Sequence, residues 1–183
     1  MDRTEALTLL KQHVKSESLI GHCISTSAVM KGLAKELKQD ENLFEVIGIL
    51  HDIDFEEINE DMTKHGLAGY DILKSAGVDD EIAEPIKRHN HMIFGEDYTT
   101  PIEIALQAAD SVSGLVIACA YVKGRKITEV TTKTIAKKYK TPSFAAGCDR
   151  TRIALGDKIV EREKLYQIAI DEITAVKDEL GLI

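Results

Sequence analysis

The chain has 183 residues, enough for one domain with a substantial hydrophobic core and no need of disulfides or structural metal. Hydrophobic residues make up 44% and charged residues 30%, the balance of an ordinary globular protein. The net charge of −8 argues against a general binder of nucleic acid or anionic membranes, and 5% aromatics with no tryptophan offer little for single-stranded bases to stack on.

That charge is unevenly spread. Residues 123–152 carry nine Lys/Arg against two acids, a local +7, which leaves −15 for the rest of the chain. The segment reads either as a wall for an anionic ligand or as a solvated helix face, the commoner meaning of a charge run. Cys23, Cys119 and Cys148 are odd in number and lack CxxC spacing, as expected of reduced residues in a cytoplasmic protein. The N-terminus carries Asp2 and Glu5 and no long apolar run, so no signal peptide is expected. The longest apolar run, around Leu115 to Val122, is too short to span a bilayer.

Helical periodicity dominates and no segment alternates like a strand, so the fold class expected is all-α, a single-domain helical bundle over 1–183. Ala6, Leu7, Leu10 and Val14 mark a first helix. A second, from about Ser18 to Lys38, aligns His22 with Val29, Leu33 and Leu37. Phe44, Ile47 and His51 share a face of a third helix, which ends near His51-Asp52. After an acidic connection, Asp54 to Asp61, the next helix is expected from about Thr63, with His65 in its first turn.

Asp79-Asp80-Glu81 opens a helix on which Ile82, Ile86, His89 and Ile93 fall at helical spacing, with His91 on the polar side. Thr100-Pro101 begins the most apolar helix. There Glu103, Gln107 and Ser111 follow at i+4 spacing and are expected to face solvent, whereas Asp110 lies off that line beside Leu106 and Ile117. A carboxylate in such surroundings needs a partner or a cation. A basic helix is expected from about Val130 to Lys140, then a short piece around Phe144 to Leu155 and a last amphipathic helix from about Asp157 to Glu179.

Singly, a histidine on an apolar helix face is more often a hydrogen-bonded core residue than a ligand. Together, His22, His51-Asp52, His65, His89 and Asp110 come from five expected helices, each on or beside a buried stripe. Four histidines and two aspartates complete two adjacent metal sites if one aspartate bridges. The mixed nitrogen and oxygen donors suit iron or manganese, with zinc, cobalt or nickel as alternatives. Magnesium and calcium favour oxygen alone.

This ordered pattern, H…HD…H…H…D, resembles the HD-domain superfamily of metal-dependent phosphohydrolases over about residues 18–120, leaving 121–183 as a C-terminal helical extension packed on the metal-binding core. The resemblance implies a first divalent transition-metal ion on His22, His51, Asp52 and Asp110, and a second, bridged by Asp52, completed by His65 and His89. It implies hydrolysis of a phosphate ester of a small nucleotide or other phosphorylated metabolite by a hydroxide shared between ions roughly 3.5–4 Å apart. Lys64 and Arg88, each next to a proposed ligand, are candidates to bind phosphate, and Asp54 is a candidate proton relay.

The chain departs from the family where many dinuclear relatives read HDIGK, since here His51-Asp52-Ile53 is followed by Asp54-Phe55. Neither the phosphate-handling lysine nor a GYP motif is present, which argues against a cyclic-di-GMP phosphodiesterase. Asn90 stands where dinuclear relatives carry the second histidine of an HH pair. Two rival functions remain open: a di-iron oxygenase on the same six ligands, acting on a polyol or phosphonate, and a metal-stabilised binding module without catalysis.

Overall fold

Local chemistry sets the helix ends in the computed structural model, which describes residues 1–95 and 97–183. Asp2 caps α1 (Arg3–His13) in a reciprocal box with Glu5. Ser16 caps α2 (Glu17–Leu37), and Asp40 caps α3 (Glu41–Leu50). Each cap satisfies an N–H that has no partner within its helix. Then follow α4 (Leu67–Ser75), α5 (Asp80–Arg88), α6 (His91–Phe94) and α7 (Pro101–Tyr121), the last opened by a Thr100–Glu103 capping box with proline at its first position. A 3₁₀ turn (Ile127–Glu129), α8 (Thr132–Tyr139), α9 (Arg150–Leu155), a second 3₁₀ turn (Gly156–Lys158) and α10 (Arg162–Ala175) complete the chain. Among the described residues there is no strand, so the fold is all-α as expected.

Helices α2 and α7 form the centre. The former packs against α3, α7 and α10, and the latter also receives α9. Val29, Met30 and Leu33 of α2 meet a core shared with Phe44 and Ile47 of α3, Leu106 and Leu115 of α7, and Leu165 and Ile173 of α10. Burying each such side chain contributes roughly 1.5–3 kcal/mol. The approach of α3 to α2 is close enough to demand glycine. A Cβ on Gly48 would lie 2.5 Å from Ser27 Cα, inside contact distance. This seating brings the end of α3, and His51, toward His22.

The structure corrects several boundaries. No helix begins at Thr63. Asp61 accepts from the Thr63 N–H and hydroxyl, and Gly66 adopts a φ of 84°, so α4 starts only at Leu67 and His65 sits in the turn before it. The helix holding His89 stops there. The Asn90 side chain accepts from the Met92 N–H and starts α6 in a new direction, which leaves Ile93 exposed and puts His91 against the cavity described below. The stripe of Glu103, Gln107 and Ser111 is buried rather than solvent-facing, because α7 is covered on both sides. By length and composition α7 as a whole could cross a membrane, although the run within it read as too short. Of its most apolar 18-residue window, 72% is buried inside the protein.

Candidate metal centre

Six side chains from five separate segments converge. His22 comes from the second turn of α2, His51 from the residue closing α3, and Asp52 from the position after it. His65 comes from the turn before α4, His89 from the residue closing α5, and Asp110 from the middle of α7. Their donor atoms form two groups, His22/His51/Asp52 and Asp52/His65/His89, each with all donors within 4.8 Å of one another. Asp52 belongs to both.

The distances match a shared cation environment. His22 Nε2 lies 3.1 Å from His51 Nε2, 3.1 Å from Asp110 Oδ1 and 3.4 Å from Asp52 Oδ2. Asp52 Oδ1 lies 3.4 Å from His51 Nε2, 3.4 Å from His65 Nε2 and 3.6 Å from His89 Nε2. An ion with bonds of about 2.1 Å puts neighbouring donors roughly 3.0–3.4 Å apart, so these donors fit divalent cations without large rearrangement.

Three of the histidines are held from behind in the orientation a ligand needs. His51 Nδ1–H donates to the Gly48 carbonyl at 2.9 Å, and His89 Nδ1–H donates to the Ile86 carbonyl. Both acceptors lie at the C-terminal ends of helices, whose partial negative charge favours a cation nearby. His65 Nδ1–H donates to Asp54 Oδ1 at 2.9 Å. In each case Nδ1 carries the proton, which leaves the Nε2 lone pair for the centre.

Both carboxylates of the site are held ionised. Burial works to raise the carboxyl of Asp52, but His51, a hydrogen bond from His89, and His22 outweigh it and hold the group well below the usual range. Burial likewise opposes ionisation of Asp110, and the Arg152 guanidinium followed by hydrogen bonds from His22 and His51 depresses it strongly. For His22, burial disfavours the charged ring. The hydrogen bond to Asp110 and the charges of Asp110 and Asp52 nevertheless push it up to about 9. The cluster favours positive charge.

The candidate phosphate residues fall outside the cavity, and the candidate proton relay Asp54 stands directly behind His65. Lys64 is exposed and pairs with Asp61 at 3.0 Å, while Arg88 pairs with Glu103 at 2.8 Å; neither lines the cavity over the cluster. Asp54 is wholly buried behind His65 and also accepts the N–H groups of Gly66 and Gly69, both at 2.8 Å. Burial raises its carboxyl, and His65 with those two amides lowers it further, so it stands as an ionised anchor. Phe55, at the position of the family's glycine-following lysine, lines the cavity and meets the His65 ring edge-on at 5.2 Å.

Other contributors escaped the sequence. Arg152, one of the nine basic residues of 123–152, reaches the cavity, whereas Lys133 and Lys137 of α8 and Lys140 just after it are exposed. Gln107 is fully buried between His89 and Arg152. Asn90 Nδ2 donates to the Met62 and His65 carbonyls at 2.7 and 3.0 Å, tying down the turn that carries His65. The i+4 polar stripe through Gln107, flanking Asp110, was the available signal for part of this.

Fold and site together define a helical protein with a buried histidine–aspartate cluster suited to divalent cations. The chain belongs to the HD domain family, whose model matches residues 19–115. A tRNA (cytidine(56)-2'-O)-methyltransferase from Thermoplasma volcanium is 32% identical over 88 residues, 48% of this chain and 25% of that protein. A ribonuclease Y from Nitratidesulfovibrio vulgaris is 32% identical over 99 residues, 54% of this chain and 18% of that protein. The uncharacterized protein MJ0778 from Methanocaldococcus jannaschii is 32% identical over 94 residues, 49% of this chain and 54% of that protein. The chain thus spans a quarter or less of the first two relatives and about half of the third. No solved structure matches it.

Proposed function

We propose that the chain is a metal-dependent phosphohydrolase acting on a small phosphorylated metabolite or nucleotide. The observation that carries this reading is the sharing of Asp52 between two groups of ligands. His22, His51, Asp52 and Asp110 would hold one divalent ion, and Asp52, His65 and His89 a second, with iron or manganese favoured by the mixed donors. When bound, such a pair supplies Lewis-acid charge for the phosphoryl oxygens and acidifies a water nucleophile.

The chain's own residues supply the rest. Asp54, Gly48 and Ile86 fix the three anchored histidines. Phe55 and Met62 give the cavity an apolar wall. The cavity, about 350 Å³, has the volume of a site for one compact ligand. With the chain's net charge of −8, this favours a small molecule over nucleic acid as substrate. The ribonuclease Y relative is named for the same broad class of phosphoryl chemistry.

The test is a screen of manganese- and iron-loaded protein against phosphomonoesters and phosphodiesters, with D52A as the control. Phosphate release or diester cleavage is expected from the wild type. D52A should lose metal and turnover while keeping its helical circular dichroism. Full metal content and activity in D52A would refute the bridging role. Oxygen uptake by the iron-loaded protein with a polyol or phosphonate, and no hydrolysis, would move the reading to the oxygenase class.

A further inference from the structure

Arg152 lies outside the family match, in a segment whose attachment to the cluster is built rather than incidental. Its Nε donates to Gln107 Oε1 at 2.7 Å, and Gln107 Nε2 donates to the His89 carbonyl at 2.9 Å. Its Nη2 lies 2.8 Å from Asp110 Oδ2, the oxygen opposite the one that faces His22. One guanidinium is therefore tied to ligands of both proposed ion sites. That Nη2 is buried and, although within ion-pair distance of Asp110, has no hydrogen-bond partner among the described residues.

The backbone around Arg152 is also pinned. Two positions earlier, Arg150 donates to the carbonyls of Phe144, Ala145 and Cys148 and so stiffens the loop before α9. Gly147 and Cys148 of that loop line the same cavity. The loop packs so closely on α7 that a Cβ at Gly114 would meet Cys148 Sγ at 2.8 Å. Among the described residues lining the cavity, Arg152 is the single Lys or Arg. Lys64 and Arg88 are committed to acids elsewhere.

We propose that Arg152 binds the phosphoryl group of the substrate, so that the segment after residue 140 completes the active site. The Nε bond to Gln107 and the ion pair with Asp110 orient the group at the cavity wall, and its buried Nη2 still lacks a hydrogen bond. A planar guanidinium suits a phosphoryl group, to which it presents fixed, charge-assisted donors. This rests on the phosphohydrolase reading above. The rival role is that of a counter-ion to Asp110, acting on metal binding alone.

Inorganic phosphate serves as the probe, titrated calorimetrically into manganese-loaded wild type, R152K and R152Q, with metal content measured on the same samples. The proposal expects R152Q to retain its manganese and to bind phosphate about tenfold or more weakly, with R152K between the two. With a substrate from the ester screen, the loss should appear in KM as well as kcat. Unchanged phosphate affinity in metal-loaded R152Q overturns the proposal, as does loss of manganese in both variants, which would mark Arg152 as a support for Asp110 only. A wild type that binds neither manganese nor phosphate sinks the underlying reading with it, and is told apart because the failure then precedes any substitution.

Discussion

Asp54 and His65 form a buried carboxylate–imidazole pair, 2.9 Å from Oδ1 to Nδ1, that faces His65 Nε2 toward Asp52. The same carboxylate holds the Gly66 and Gly69 amides, so it fixes the ring and also the turn that delivers it. Asp54 stands where many dinuclear relatives have glycine. The departure therefore has a structural use here.

D54N should disturb this arrangement without removing bulk. An amide is a poorer acceptor for the Nδ1 proton and presents an N–H₂ group to one of its donors. Metal affinity at the His65/His89/Asp52 group is expected to fall about 10- to 100-fold, as for other outer partners of ligating histidines. Competition with a chelator of known affinity measures it. The His22/His51 group should keep its ion, so a half-loaded protein is the expected product at limiting metal.

Metal affinity should rise with pH through the neutral range. In the metal-free protein the His22 ring keeps its proton up to about 9, and that proton must leave before Nε2 can bind an ion. Below about 9, each unit of acidification therefore weakens binding at this group by roughly tenfold from this proton alone. Asp52 and Asp110, held well below the usual range, are already ionised at neutral pH and add no such slope. Proton release on manganese binding near pH 7, measured in buffers of different ionisation enthalpy, checks the sign. An affinity independent of pH between 7 and 9 would count against it.

G48A tests how tightly the site depends on the contact between α2 and α3. The added methyl would sit 2.5 Å from Ser27 Cα, which is backbone and has no rotamer to yield. Separating the helices is expected to cost about 1–3 kcal/mol. Urea denaturation should show the loss, and metal affinity should fall with it, because His22 and His51 ride on the two helices that are forced apart.

Much of the cluster was legible in the chain because ligand chemistry is a matter of residue type. Histidines at core-facing helical positions, and an aspartate among apolar neighbours, announce a need for partners wherever the helices go. The residues around the cluster were less legible. Asp54 read as the start of an acidic connection and as a candidate proton relay, because nothing local shows that the Gly66 and Gly69 amides will fold over it. Lys64 and Arg88 read as phosphate ligands because they adjoin His65 and His89 in sequence, yet neighbours along a chain leave it in different directions. His91 was assigned to a polar face by extending one helix through Asn90, where the chain turns.

The sequence by itself determined the helical class, the opening of the most apolar helix at Thr100-Pro101, and the six histidine and aspartate side chains that call for partners. These follow from short-range rules of periodicity, capping and side-chain chemistry. Tertiary structure alone decided that Gln107 would be buried and that Arg152, some 40 residues beyond Asp110, would line the cavity. A helix face becomes buried only when another segment arrives to cover it. For α7 the cover comes from α9 and the loop that Arg150 holds, so the meaning of its polar stripe depended on residues far along the chain.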